Sequence, residues 1–194
     1  AQYLPIESIS HGAKLLRSLA PLWVLYSVKS HRRAQLIQEQ LPKIKNHSLR
    51  FLQDIPVAPL ASWSLIPDKQ ILFSTKCSSS LPNGEANFLE DKDNPPSRAY
   101  LKLWETFTVH GVRPRRLEHC LDLGSCPGGW TWVLQTLGCQ VTSVDKAPLD
   151  EKISRLPRID FLKRNAFGLK PSEVSQPDWI FSDIICFSKK LYEL

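Results

Sequence analysis

Residues 122–132 read D-L-G-S-C-P-G-G-W-T-W and place three glycines and a proline between an apolar run and a helical pattern. A glycine loop that leaves a strand and opens a helix lets backbone approach a ligand that a side chain would block. Gly124, Gly128 and Gly129 are therefore expected to leave room for a nucleotide-like cofactor. Asp145 follows Gly124 by 21 residues and ends the next predicted strand, where an acidic residue accepts hydrogen bonds from both ribose hydroxyls of an adenosine.

The loop also discriminates among cofactors. A dinucleotide fingerprint requires G-x-G-x-x-G, and Cys126 occupies its middle position. A phosphate-binding P-loop requires G-K-[ST], whereas Trp130 and Thr131 follow Gly129. What remains is an adenosine cofactor lacking a pyrophosphate, and S-adenosylmethionine fits that description.

The flanking pattern is regular from about residue 91. D-K-D-N-P-P-S (91–97) forms a boundary because two prolines forbid helix there and Ser97 can cap the helix after it. Tyr100, Leu103, Trp104 and Phe107 make an i, i+3, i+4, i+7 stripe, predicting a helix over 97–110 that stops at Gly111. Strands are predicted at 118–123, 140–144, 160–162 and 179–182, with a helix at 129–137. This alternation predicts an α/β domain over 91–194, a Rossmann-like doubly wound parallel sheet with its ligand at the carboxyl edge. Because the final residues, K-K-L-Y-E-L, read as the first turns of a helix, the sheet is expected to be incomplete at the C-terminus.

Residues 1–90 are expected to form a small α+β region, with helices at 11–19 and 31–41 and strands at 22–28 and 71–77. Prolines 56, 59 and 67 interrupt the pattern between them. The formal charge of +6 is concentrated in this region. Lys14, Arg17, Lys29, Arg32, Arg33, Lys43, Lys45 and Arg50 face one acid, Glu39, over residues 11–50. Such a block reads equally as a solvated surface or as a polyanion-docking module, with RNA or DNA the leading partner. Trp23, Tyr26 and Trp63 are candidates for base stacking, although such aromatics are more often core. No apolar stretch approaches the roughly 20 residues of a membrane span. Five scattered cysteines without a C-x-x-C pair indicate neither a zinc site nor a disulfide framework, and no His/Cys cluster implies a metal. A soluble protein of the reducing cytoplasm, without membrane partner, is the expectation.

Two segments together carry a resemblance. D-L-G-S-C-P-G-G-W resembles the cofactor loop of the FtsJ/RrmJ-type RNA ribose 2′-O-methyltransferases, and S-R-A-Y-L-K-L (97–103) resembles the helix before it. C-P-G-G-W-T-W and S-V-D-K-A-P are most like those of a bacterial member that methylates a cytidine ribose of 23S ribosomal RNA. The resemblance spans roughly residues 90–190 and implies a methyltransferase fold, S-adenosylmethionine as cofactor and ribosomal RNA, 23S in particular, as substrate. It places Asp122, Gly124, Ser125, Cys126, Pro127, Gly128, Gly129 and Trp130 in the cofactor loop, Asp145 on the ribose, and Asn165 where members carry an adenine-binding Asp. Of the family's Lys, Asp, Lys, Glu set it implies Lys102 and Asp183 as catalytic, while the second Lys and the Glu belong to later strands. Lys189 and Lys190 precede the first of those strands and are not substitutes. A lysine acts as base only when burial or a neighbouring cation lowers its pKa, which is a reason for pairing two lysines.

Two alternatives from other classes remain at this level. One is a non-catalytic RNA-binding protein that keeps the fold, and the other is a nucleotide-dependent oxidoreductase, which Cys126 argues against.

Overall fold

The computed structural model describes residues 1–44, 48–55, 60–67 and 69–191, apart from the side chains of residues 188 and 191. Lys45, Pro56 and Pro59 thus lie outside the described residues. The chain forms two compact units, Ala1–Phe88 and Leu89–Leu194.

In the first unit, β1 (Gln2–Pro5), α1 (Ile9–Leu19), β2 (Trp23–Leu25), α2 (His31–Gln38), β3 (Ala61–Ile66) and β4 (Gln70–Ser74) succeed one another. The sheet order is β1-β4-β3-β2; β2 runs parallel to β3, and the other pairs are antiparallel. Alternation along β3 and β4 turns Trp63, Leu65, Ile71 and Phe73 to one face, where they meet Ala13 and Leu16 of α1 and Ala34 and Ile37 of α2. Trp23 and Trp63 are fully buried in this core, so neither is a free stacking platform; Tyr26 is exposed. Ser8 caps α1 by accepting from His11 N at 3.1 Å, so the helix starts two residues before the pattern predicts. The strand predicted at 22–28 is only three residues long, because beyond Leu25 the chain turns toward Ser30, at φ 51°.

The second unit contains α3 (Tyr100–His110), β5 (His119–Leu123), α4 (Gly129–Thr136), β6 (Gln140–Asp145), α5 (Glu151–Ser154), β7 (Ile159–Lys163), β8 (Trp179–Ser182) and α6 (Ser188–Leu191). Its sheet is parallel throughout, in the order β7-β6-β5-β8. The chain winds outward from β5 through β6 to β7 and then returns to the other side of β5 for β8. The crevice between the carboxyl ends of β5 and β8 is thus a topological switch point, where α/β sheets bind ligands. Among the described residues no helix is long and apolar enough to cross a membrane.

The stripe on α3 is buried as expected. Tyr100 meets Trp104 and, on α4, Trp132 edge-on, at 4.7 and 5.6 Å between ring centroids. Phe107 reaches Phe181 of β8 at 6.0 Å. These contacts fix α3 beside the end of β8. Gly111, at φ 65°, terminates the helix. Its start differs from expectation: Ala99 occupies the N-cap, and the Ser97 hydroxyl is buried against α4 without a hydrogen-bond partner. The chain bends over residues 93–97 and turns at 98 and 99, so Ser97 precedes the first helical residue by three.

Candidate functional site

A cleft of about 430 Å³ opens at the carboxyl ends of β5, β6 and β8, bordered by Gly124, Asp145, Asn165 and Asp183. Three of the residues expected to hold the cofactor therefore share one cavity with one expected catalytic residue. The other catalytic candidate reaches the same place from α3. Lys102 Nζ donates to Asp183 Oδ1 and Oδ2 at 2.7 and 2.8 Å.

Asp145 ends β6 and holds the loop from the opposite side. Its Oδ2 accepts from Cys126 N at 2.9 Å, and its Oδ1 accepts from Ala147 N at 2.9 Å. Two backbone donors thus orient the carboxylate at the cleft wall. Asn165, which borders the cleft, caps the short 3-10 turn Ala166–Gly168, its Oδ1 accepting from Phe167 N at 3.3 Å, which leaves the side-chain NH2 as an unspent donor.

Asp122 sits below the loop and not in the cleft. It is 1% exposed and accepts from Thr131 Oγ1 at 2.6 Å, and Thr131 Oγ1 lies 2.8 Å from Ser143 Oγ. Burial pushes its carboxyl up to about 7 against the opposing Thr131 bonds, and the charges of Asp183 and Asp145 add to the rise. Its place in the structure is therefore that of a buried pin between β5 and α4. Burial also raises the Cys126 thiol, with the Asp145 carboxylate contributing.

The rest of the loop divides by exposure. Cys126 and Pro127 are exposed and joined by a cis peptide, while Ser125, Gly128 and Gly129 are buried. Trp130 points back to α3, its Nε1 donating to the Ala99 carbonyl at 2.9 Å.

The glycines also meet a packing demand that the sequence pattern does not reveal. A Cβ on Gly124 would lie 2.5 Å from Ile184 Cγ1, one on Gly128 2.9 Å from Ile153 Cγ2, and one on Gly129 2.8 Å from Ser97 Oγ. Close packing of the protein against itself thus requires all three. Gly124 and Gly128 additionally adopt φ of 78° and 113°.

Sequence reasoning did not single out Lys146, Arg164, Phe167 or Ile184 and set Lys190 aside, yet all five border the cleft. The Lys190 ammonium lies 4.6 Å above the Phe167 ring centroid. Their only signal was adjacency, each lying within seven residues of a residue that was chosen. Among the described residues no group of His, Cys, Asp or Glu is placed to hold a metal ion. All five cysteines are free thiols.

A parallel sheet with a switch-point cleft, a glycine loop after its first strand and an acid at the end of the second defines a Rossmann-like fold of the methyltransferase kind. Residues 95–193, just over half of the chain, match the family model of FtsJ-like methyltransferases. The chain belongs to that family. It is 37% identical over 95 residues to the ribosomal RNA large subunit methyltransferase M of Halorhodospira halophila, a match covering 47% of this chain and 27% of that protein. The protein of the same name from Hahella chejuensis is 32% identical over 123 residues, covering 60% of this chain and 31% of its own length. The matched region thus spans about a third or less of these relatives. A solved structure, a putative hemolysin from Lactococcus lactis, aligns at 26% identity with a TM-score of 0.44, covering 48% of each chain.

Proposed function

We propose that this chain binds S-adenosylmethionine in the switch-point cleft and transfers its methyl group to a ribose 2′-hydroxyl of ribosomal RNA, with 23S RNA as the substrate. The observation that carries this reading is the doubly bonded Lys102–Asp183 pair at the rim of the cleft that Asp145 and Asn165 border.

The residues present fit the cofactor. The cleft lies within the roughly 300–1,000 Å³ of small-molecule sites. Asp145 offers acceptors for ribose hydroxyls, and the Asn165 amide offers a donor to an adenine edge. Ser125 Oγ is buried in the glycine loop with no partner among the described residues. When bound, the cofactor supplies an electrophilic methyl on a sulfonium.

The chain's own residues then position the acceptor. Lys102 spends two of its three N–H donors on Asp183, and the third can meet a ribose oxygen. Lys102 would hold that oxygen in line with the methyl group, which the cofactor would give up while keeping the bonding electron pair on sulfur. The hydroxyl proton departs toward the adjacent carboxylate. Orientation by this pair accounts for much of the rate, because in-line attack is a demand on geometry.

The basic N-terminal unit, residues 1–88, serves in this reading as the RNA-docking module. The test supplies labelled S-adenosylmethionine to the chain with deproteinised 23S RNA. Label retained at one position that resists alkaline cleavage is the expected result. Cofactor binding without any transfer to RNA favours a non-catalytic RNA-binding role.

A further inference from the structure

Between Glu7 and Glu39 the chain contains no acidic residue, and it carries Lys14, Arg17, Lys29, Arg32 and Arg33. Both helices of the N-terminal unit fall inside this stretch. They lie side by side on the same face of the sheet, because Ala13 and Leu16 of α1 and Ala34 and Ile37 of α2 join one apolar cluster with Trp63 and Ile71. The helical period therefore turns their remaining positions away from the sheet.

Those outward positions hold Lys14, Arg17 and Ser18 on α1 and Arg32 and Gln35 on α2, with Lys14, Arg17 and Arg32 exposed. Among the described residues none of these cations forms an ion pair; the four ion pairs found all lie in the C-terminal unit. Arg17 spends only its Nε, on the Ala13 carbonyl at 3.3 Å. Cations in the first turn of α2 also oppose the helix dipole, and no acid offsets them there. Unpaired like charges gathered on one surface against these local costs mark a surface selected for an anionic partner.

We propose that the outward face of the α1–α2 layer, carrying Lys14, Arg17 and Arg32, is the surface on which the N-terminal unit docks the phosphate backbone of RNA. The proposal rests on the RNA-methyltransferase reading and locates its docking step. A membrane is the poorer occupant because the exposed positions of the two helices offer it Leu19, at the end of α1, and little other apolar surface to bury. With no aromatic among them, the contact is with phosphate, so it is independent of base sequence and strongly salt-dependent.

The test measures binding of the whole chain to a synthetic hairpin RNA by fluorescence anisotropy, between about 50 and 200 mM salt. The wild type is compared with Lys14→Gln/Arg17→Gln/Arg32→Gln, and with Lys69→Gln/Lys76→Gln, which removes exposed charges outside the helical layer. The expected result is a fall in the slope of log affinity against log salt by about 3 in the triple variant, with the slope kept in the Lys69/Lys76 variant. The charge-preserving Lys14→Arg/Arg17→Lys/Arg32→Lys should bind as wild type, which excludes misfolding as the cause. If the wild type binds RNA with a steep salt slope and the triple variant matches it, the location is wrong while the RNA reading stands. If the wild type binds no RNA, the underlying reading fails as well. Tighter binding to polyglutamate, or to vesicles containing phosphatidylserine, than to the hairpin would reassign the face to an acidic protein or a membrane and overturn the proposal.

Discussion

Lys102 and Asp183 lie 81 positions apart in the chain and meet through two hydrogen bonds of 2.7 and 2.8 Å. α3 brings the lysine and the end of β8 brings the aspartate, with the Phe107–Phe181 contact between the two elements setting their separation. Their side chains are 62% and 33% exposed, so solvent screens the pair and it contributes at most about 1 kcal/mol to folding. So small a contribution leaves the pair free to serve the proposed reaction at the cleft.

Lys102→Ala and Asp183→Asn should therefore each lower methyl transfer by about 100-fold or more and shift the melting temperature little. Cofactor affinity, measured by calorimetry, should persist in the Lys102 variant because Asp145 and Asn165 are untouched. Equal loss of stability and activity would show a structural pair instead.

Asp122 gives the fold a pH dependence of definite sign. Its carboxyl titrates near 7 in the folded protein against 3.8 for the ordinary group, so the native state holds the proton more tightly than the unfolded chain. The stability associated with the neutral form is fully present below about pH 4 and is lost as pH rises through about 7. Asp122→Asn keeps an acceptor for Thr131 and removes the charge. Relative to wild type, this variant should gain about 4 kcal/mol between pH 4 and pH 8 in denaturant unfolding, the equivalent of the pKa displacement. A difference that does not change with pH would show that Asp122 does not titrate in this range.

Much of the C-terminal unit was legible because buried parallel strands read as short apolar runs between turn signals. β5 to β8 fall within a residue or two of the predicted limits. The N-terminal unit was less so. β1 is a four-residue edge strand with Tyr3 exposed, and β3 alternates serine with apolar residues directly after the proline-rich segment, so neither stood out until β4 paired with both. Asp145 was visible from its spacing, because the distance from glycine loop to acid is set by one helix and one strand. The Lys102–Asp183 contact is not a periodic feature, and it became an expectation only through family resemblance. The glycines were located correctly, but a one-dimensional pattern does not show that Ile184, Ile153 and Ser97 stand where their side chains would be, a packing demand added to any made by a ligand.

Asp145 combines two tasks that one pair of substitutions separates. Asp145→Ala removes the acceptors for Cys126 N and Ala147 N together with the charge at the cleft, whereas Asp145→Asn retains one oxygen for a backbone donor. Charged hydrogen bonds contribute about 1.5–3 kcal/mol, so the alanine variant should bind S-adenosylmethionine about 10- to 100-fold more weakly, with the asparagine variant between it and wild type. Unchanged affinity in the alanine variant would remove Asp145 from the cofactor site.

Gly129 offers a steric test free of backbone strain, since its φ lies outside the left-handed region. A methyl group there would stand 2.8 Å from Ser97 Oγ and 3.4 Å from Tyr100 N, at the seam where α4 packs on the start of α3. Gly129→Ala should thus cost about 1–3 kcal/mol through overpacking. Ser97→Ala alone should be neutral or slightly stabilising, because the hydroxyl it deletes is buried without a partner. Combining the two removes the clashing oxygen and leaves contacts of 3.4 and 3.5 Å, so the double variant should recover most of the loss. Additive destabilisation in a double-mutant cycle would mean that something other than Ser97 sets the need for glycine. Full recovery would show that the α3–α4 seam sets the need for the loop's third glycine.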